Sequence, residues 1–297
     1  MKIAYIFQIY KDFDYHAKVF RMLKEPWCDI FVHIDKKSKI DLKKYIKEYN
    51  LDDINFLKNR MSVYWGGFTQ IQSTLKLFQA VKDSGEKYDR IIFITDNEFP
   101  CWSNKHIYEF FEQHKDEEFF SIAQKRPNMP KFEYPESRVN AYSFFDCPLL
   151  KKIPRRKLTN FMYKFWNFQR NVLGFSRKLL PYKYYRAHSK FYVTQDFIEY
   201  VLDYVKNNPD DLNTFKHTCC ADEVFFVTLL MNNPKFSKNL HNNLYRFHIW
   251  GATAPIDLDI KHKEQIVAKN PMICAKITPN VSDELMEFLI ERRNEDK

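Results

Sequence analysis

The sequence predicts an α/β fold: a Rossmann-like, doubly wound sheet flanked by helices, built as one domain. Three observations carry this. Apolar strand-like runs alternate with helix-periodic segments over residues 1–125. The run "IIFIT" is rich in β-branched residues and fully apolar at its centre, as suits a strand buried on both faces. Polar groups also recur at predicted strand ends, at Gln8–Tyr10, Asp35 and Asp96–Glu98, where open α/β sheets bind ligands.

The elements follow in order. Lys2–Tyr10 is an apolar strand, and Asp29–Asp35 ("DIFVHID") is a second that ends in an acid. Ile54–Lys58 is a short third strand. Thr69–Lys82 places Ile71, Leu75, Phe78 and Val81 at helical spacing, and "DSGEK" stops it. Tyr88–Thr95 is the fourth strand, Asn104–His114 a helix and Glu118–Ala123 a further strand. Residues 126–190 break the alternation with prolines, aromatics and cations. Regular structure resumes with a strand at Phe191–Thr194 and a helix at Gln195–Lys206; "NNPDD" reads as a loop. A helix at Ala221–Met231, a strand at Tyr245–Trp250 and an amphipathic helix at Ser282–Arg292 complete the chain. No repeat or low-complexity tract interrupts it.

With 297 residues the chain can bury a core that needs no disulfide or metal staple. The six cysteines include no C-x-x-C pair, so reduced, buried thiols are expected. The first residues read as a strand and carry no signal-peptide cleavage pattern, and no window is apolar enough to span a membrane. The expectation is a cytoplasmic protein, peripheral to a membrane at most. The net charge is +9, yet residues 151–190 alone hold 12 Lys/Arg and no Asp or Glu. The basic character is thus local, which disfavours a nucleic-acid binder and suits a near-neutral enzyme body.

"TDNEFP" places Asp96 and Glu98 two residues apart at a strand end. Such a pair can hold Mg or Mn against a diphosphate, since hard oxygen donors suit these ions. It can equally serve a different polar partner.

Taken together, several blocks resemble the core-2/I-branching N-acetylglucosaminyltransferase and peptide O-xylosyltransferase family. "KIAYIFQIYKD" resembles its opening strand, "DIFVHIDKKS" its I-H-I-D-K-K-S block, and "VYWGGFTQIQSTLKLF" its W-G-G segment and following helix. "TDNEFPCWSN" occupies the place of S-G-x-D-Y-P-I-x-[ST]-N. "KHTCCADEVFFVTLL" resembles F-x-P-D-E-x-F-F-x-T-L, "YRFHIW" resembles L-R-[YF]-I-x-W, and "MICAKIT" resembles L-F-A-R-K-F. The blocks span most of the chain in order; W-G-G followed later by D-E-x-F-F is the specific combination.

The resemblance implies a GT-A type fold in a single catalytic domain: a nucleotide-binding half (1–125), a basic aromatic insertion (126–190) and a half carrying the acceptor site and catalytic base (191–297). It implies inverting transfer of GlcNAc or xylose from a UDP-sugar to a glycan hydroxyl. No cofactor is implied, because the family's characterised core-2 members work without a metal. Asp96 stands where the family has Gly, and it restores the spacing a metal would need.

Single displacement needs a base for the acceptor hydroxyl and positive charge for the departing diphosphate. By the match, Glu223 is the base and Asp222 a cap or orienting group. Burial raises a carboxylate pKa while a helix N-terminus lowers it, so sequence leaves the sign at Glu223 open. Lys276 matches a diphosphate-contacting lysine. Asp35 matches an acid at the uridine–ribose end, the backbone at Gln8–Tyr10 would meet the uracil, and Trp65 and Gly66 form a turn beside the donor. Glu98 and Trp250 match acceptor-binding positions. Two departures stand out. The family's assisting arginine has no counterpart in "GATAPIDLDIKHK", and its G-S-x-W block becomes "AHSKFYVT".

Residues 151–190 interleave their cations with nine aromatics, Phe161, Phe165, Trp166 and Phe168 among them. Docking to an anionic membrane bearing a lipid-linked acceptor is the expected use. Single-stranded nucleic acid is the weaker alternative. A non-enzymatic binding protein and a metal-dependent transferase using Asp96 and Glu98 are the competing functions.

Overall fold

Ile3–Ile9 (β1) is buried at all seven positions because hydrogen-bonded neighbours and helices enclose it on every side. The computed structural model describes residues 1–124, 129–251 and 254–295. In it β1 pairs in parallel with Cys28–Ile34 (β2) and later with the fourth strand. The other strands are Asn55–Phe56 (β3), Arg90–Thr95 (β4), Glu98–Pro100 (β5), Glu118–Phe119 (β6), Tyr192–Val193 (β7), Leu240–His241 (β8), Arg246–Phe247 (β9) and Ile273–Ala275 (β10). Seven form one sheet in the order β3-β2-β1-β4-β7-β6-β8; β5, β10 and β9 form a second, three-stranded sheet. The expected α/β class is what the chain adopts.

The helices are Phe13–Leu23 (α1), Leu42–Tyr49 (α2), Thr69–Asp83 (α3), Asn104–Gln113 (α4), Pro135–Val139 (α5), Arg155–Asn167 (α6), Gln195–Asn207 (α7), Pro209–Thr214 (α8), Phe225–Met231 (α9), Pro234–Ser237 (α10), Lys263–Lys269 (α11) and Asp283–Glu295 (α12). Side-chain alternation along β1 divides the core. Ile3, Tyr5, Phe7 and Ile9 pack with α1, α4 and α12 on one face. Ala4 and Ile6 pack with α3, α7 and α9 on the other. Each fully buried Ile or Phe here contributes roughly 1.5–3 kcal/mol.

Register sets the functional level. Gln8 lies opposite both His33 of β2 and Thr95 of β4. The carboxyl ends of three parallel strands therefore align and open onto one crevice.

The structure corrects several expectations. Two further helices, α1 and α2, fill the β1–β2 and β2–β3 crossovers that parallel pairing requires. "NNPDD" contains the start of α8: Pro209 sits in the first turn, where its missing N–H costs nothing, and Asp210 and Asp211 favour the dipole. The expected Ala221–Met231 helix is two pieces, a 3₁₀ turn at Ala221–Glu223 and then α9, separated by Val224 at φ −117°. The expected strand at Tyr245–Trp250 shrinks to β9, with Tyr245 at φ +47°. Residues 129–190 contain α5 and α6, and Phe145, Leu158 and Met162 make a small satellite core beneath α6. Among the described residues no helix is long and apolar enough to cross a membrane.

Candidate active site

A cavity of about 540 Å³ opens at the aligned strand ends. Gln8, Tyr10, Asp35, Trp65, Gly66, Asp96 and Glu223 all line it, from elements as much as 215 residues apart in sequence.

At the β1–β2 end, Gln8 is fixed from below: its amide nitrogen donates to Ser73 Oγ at 2.7 Å and Thr74 Oγ1 at 2.9 Å on α3. Asp35 is 6% exposed, and its two oxygens accept from Lys37 N at 2.8 Å and Val63 N at 3.3 Å. Lys37 Nζ closes over it at 3.0 Å. Arg60 rivets the same turn by donating to the carbonyls of Ile34, Asp35 and Ser38. Burial pushes the His33 imidazole down to about 4, so it is neutral and accepts from Met61 N at 3.1 Å. Tyr10 is half exposed, with its backbone N–H on Asp96 Oδ1.

The W-G-G turn has a separate reason for each glycine. Gly66 has φ +72°, which only glycine adopts without strain. A Cβ on Gly67 would overlap the carboxylate of Asp146. That carboxylate accepts from Phe68 N at 2.6 Å and Thr69 Oγ1 at 2.6 Å, satisfying the start of α3. Trp65 meets Phe145 edge-on at 5.4 Å.

The opposite wall is the 3₁₀ turn. Cys220 has φ +49° and donates its N–H to Gly66 O at 2.9 Å, stitching this turn to the glycine turn. Glu223 Oε2 accepts from Arg138 Nη1 at 2.8 Å and lies 3.5 Å from Arg186 Nε. Asp222 also lines the cavity, and it is not a helix cap: Cys220 precedes the 3₁₀ turn that contains it and Val224 precedes α9. Burial, and then the neighbouring Glu223 charge, raise the Asp222 carboxyl to about 7. With its amide turned to satisfy both ends, Gln70 donates to Asp222 Oδ2 at 3.1 Å and accepts from Gly66 N at 3.2 Å.

Sequence reasoning missed three cations here. Arg138 lies in a stretch that carried no motif, and Arg186 and Lys190 were counted among the cations of residues 151–190 expected at a membrane. Lys190 lines the cavity while only 9% exposed, donates to Ser189 Oγ at 3.0 Å and sits over the Phe93 ring. Burial lowers its pKa. A lysine written directly before the apolar strand "FYV" was the available signal.

Three expected residues do not line the cavity. Glu98 is 5% exposed, and its oxygens are engaged by Thr95 N and by Arg246 of β9. Asp96 instead faces His16 Nε2 at 3.1 Å. The two carboxylates diverge, so "TDNEFP" does not present a preformed pair to a metal. Lys276 is half-buried just beyond β10, with its carbonyl accepting from Leu258 N. It adjoins the rim, since the next residue, Ile277, donates its N–H to Asn97 O. Trp250 is 65% exposed and meets the His248 ring at 5.7 Å.

The family model described as Core-2/I-Branching enzyme matches residues 3–271. Over 112 residues the chain is 27% identical to a mouse N-acetyllactosaminide beta-1,6-N-acetylglucosaminyl-transferase, a stretch covering 37% of this chain and 28% of the mouse protein. Among solved structures, TarS residues 1–349 from S. aureus in complex with UDP aligns with TM-score 0.28 and 12% identity, covering 48% of this chain and 40% of that one. The apo-form glycosyltransferase GlyE of Streptococcus pneumoniae TIGR4 aligns with TM-score 0.34 and 8% identity over 99% and 60% of the two chains. It is the family match, running from β1 almost to β10, that decides the identity: the chain belongs to the Core-2/I-Branching enzyme family.

Proposed function

We propose that this protein is an inverting glycosyltransferase that moves GlcNAc or xylose from a UDP-sugar to a glycan hydroxyl in surface-glycan assembly. The supporting observation is one cavity with an Asp35 end suited to a nucleoside and a Glu223 end suited to a base. Asp35 accepts from ribose hydroxyls, the backbone at Gln8–Tyr10 meets uracil, and Trp65 and Gly66 flank the sugar. Both arginines engage Glu223 through Oε2; Oε1 takes the acceptor proton as the acceptor oxygen bonds to C1. The C1–O bond to the diphosphate breaks, and its electron pair leaves with UDP. Lys190 supplies a desolvated positive charge for that group, and Lys276 reaches it from the rim. Trp250 offers an exposed aromatic face to an acceptor sugar. Glu98 acts at one remove, by fixing Arg246. Glu223→Gln tests the reading: UDP binding is retained and transfer is lost. Retained transfer rejects it.

A second surface favours membrane docking. Around α6 and the π turn that continues it, Phe161, Phe168, Val172 and Leu173 are 46–70% exposed among the cations. Each Lys or Arg near an anionic bilayer contributes about 1 kcal/mol. Cosedimentation with phosphatidylglycerol-rich liposomes at low salt tests this; failure to pellet rejects it.

A further inference from the structure

We propose that His114, Glu117 and His241 form a zinc site outside the cavity, which clasps the edge strand β8 to the end of α4. The three lie on separate pieces of chain that the fold brings together. His114 caps the C-terminus of α4, Glu117 precedes β6, and His241 belongs to β8. Parallel pairing sets Phe119 opposite His241, which carries the imidazole back beside Glu117.

The donor geometry is nearly that of a three-ligand site. Glu117 Oε1 lies 2.8 Å from His114 Nδ1, and Oε2 lies 2.6 Å from His241 Nδ1. One donor atom from each residue falls within 4.8 Å of the others. Tetrahedral zinc with bonds of about 2.1 Å needs its ligands about 3.4 Å apart, a small adjustment from there. Two imidazoles and one carboxylate form a borderline donor set that suits Zn²⁺ and not Mg²⁺.

The surroundings hold these side chains in place. Phe119 stacks on His241 with centroids 4.5 Å apart, and Phe110 packs on His114 at 4.5 Å. Arg90, fully buried, donates to the carbonyls of His114, Lys115 and Glu117, which fixes the turn carrying two of the ligands. Zinc would take the Nδ1 lone pairs, and each ring proton would move to Nε2. On His241 that proton then faces Tyr245 OH, 3.2 Å away, the outer hydrogen bond a metal-bound imidazole requires. The three side chains are 24–36% exposed, so a fourth position is open to water.

The test uses untagged full-length protein, equilibrium dialysis against ZnCl₂ and metal quantification. The expected result is one zinc per chain, retained in a Cys219→Ser/Cys220→Ser variant and lost in His114→Ala and in His241→Ala. Cobalt should give visible d–d bands without a thiolate charge-transfer band. Zinc should raise the thermal midpoint of the wild type and leave that of His114→Ala unchanged. His114 sits at a helix end, so this variant keeps the test valid if His241→Ala folds poorly. No stoichiometric zinc, or binding indifferent to both histidine substitutions, overturns the proposal.

Discussion

Glu98 and Arg246 form a buried ion pair across the second sheet, each side chain 6% exposed and 148 residues apart in sequence. Arg246 also donates to Tyr192 OH at 3.1 Å, so the pair ties β5 and β9 to the main sheet. Removing one partner strands a buried charge, at a cost of about 3–5 kcal/mol. Glu98→Gln should therefore lower the urea midpoint sharply. A variant of wild-type stability with only a raised acceptor KM would instead mark Glu98 as a direct acceptor ligand.

Glu223→Gln should bind UDP like the wild type and transfer at least about 100-fold more slowly, the usual scale for a lost general base. Calorimetry with UDP and initial rates with a UDP-sugar check both halves.

Lys190 carries charge in a wall that disfavours it, and burial places its pKa below the lysine reference of 10.5. An unfolded chain then binds the extra proton more readily between the folded value and 10.5, so this group's penalty on stability eases as pH rises through that interval. In the proposed donor site the diphosphate is met by the protonated form. UDP affinity should fall with rising pH in the same interval, and Lys190→Met should abolish that dependence while weakening UDP binding. Isothermal titrations across alkaline pH decide it.

Asp222 shows the opposite sign. Its folded value of about 7 lies above the reference of 3.8, so the native state holds the extra proton between them. Its contribution to stability is greatest below 3.8 and declines as pH rises to 7. Asp222→Asn should remove this decline and raise the thermal midpoint most at pH 7 and above.

EDTA should leave transfer intact, because Glu98 is held by Arg246 while Asp96 faces His16. It should still lower the melting temperature of zinc-loaded protein if His114, Glu117 and His241 hold the ion. Turnover that collapses in EDTA and returns with Mn would place a metal at Asp96.

Asp146→Ala should cost about 0.5–2 kcal/mol, the range for a lost helix cap. It should also weaken UDP binding, because the same carboxylate seats the glycine turn. Chemical denaturation and UDP titration on one preparation measure both effects.

The sequence by itself determined the strands of the parallel half, the level of their carboxyl ends and the W-G-G turn, because hydrophobic period and positive-φ glycine are local properties of the chain. Asp35 was legible as the acid that closes its strand, whereas Glu223 was singled out only through the resemblance of its D-E-x-F-F block. Tertiary structure alone decided which polar groups share the cavity. Asp146 reaches back 78 residues to the start of α3, and Arg138 crosses 85 residues to Glu223. Glu98 and Asp96, two residues apart, part company because Arg246 pulls one inward while Tyr10 and His16 hold the other at the wall. Periodicity fixes which face of an element is buried. The partner a buried charge finds there depends on which distant segment packs against it, and electrostatic pairing across such distances leaves no mark at short range.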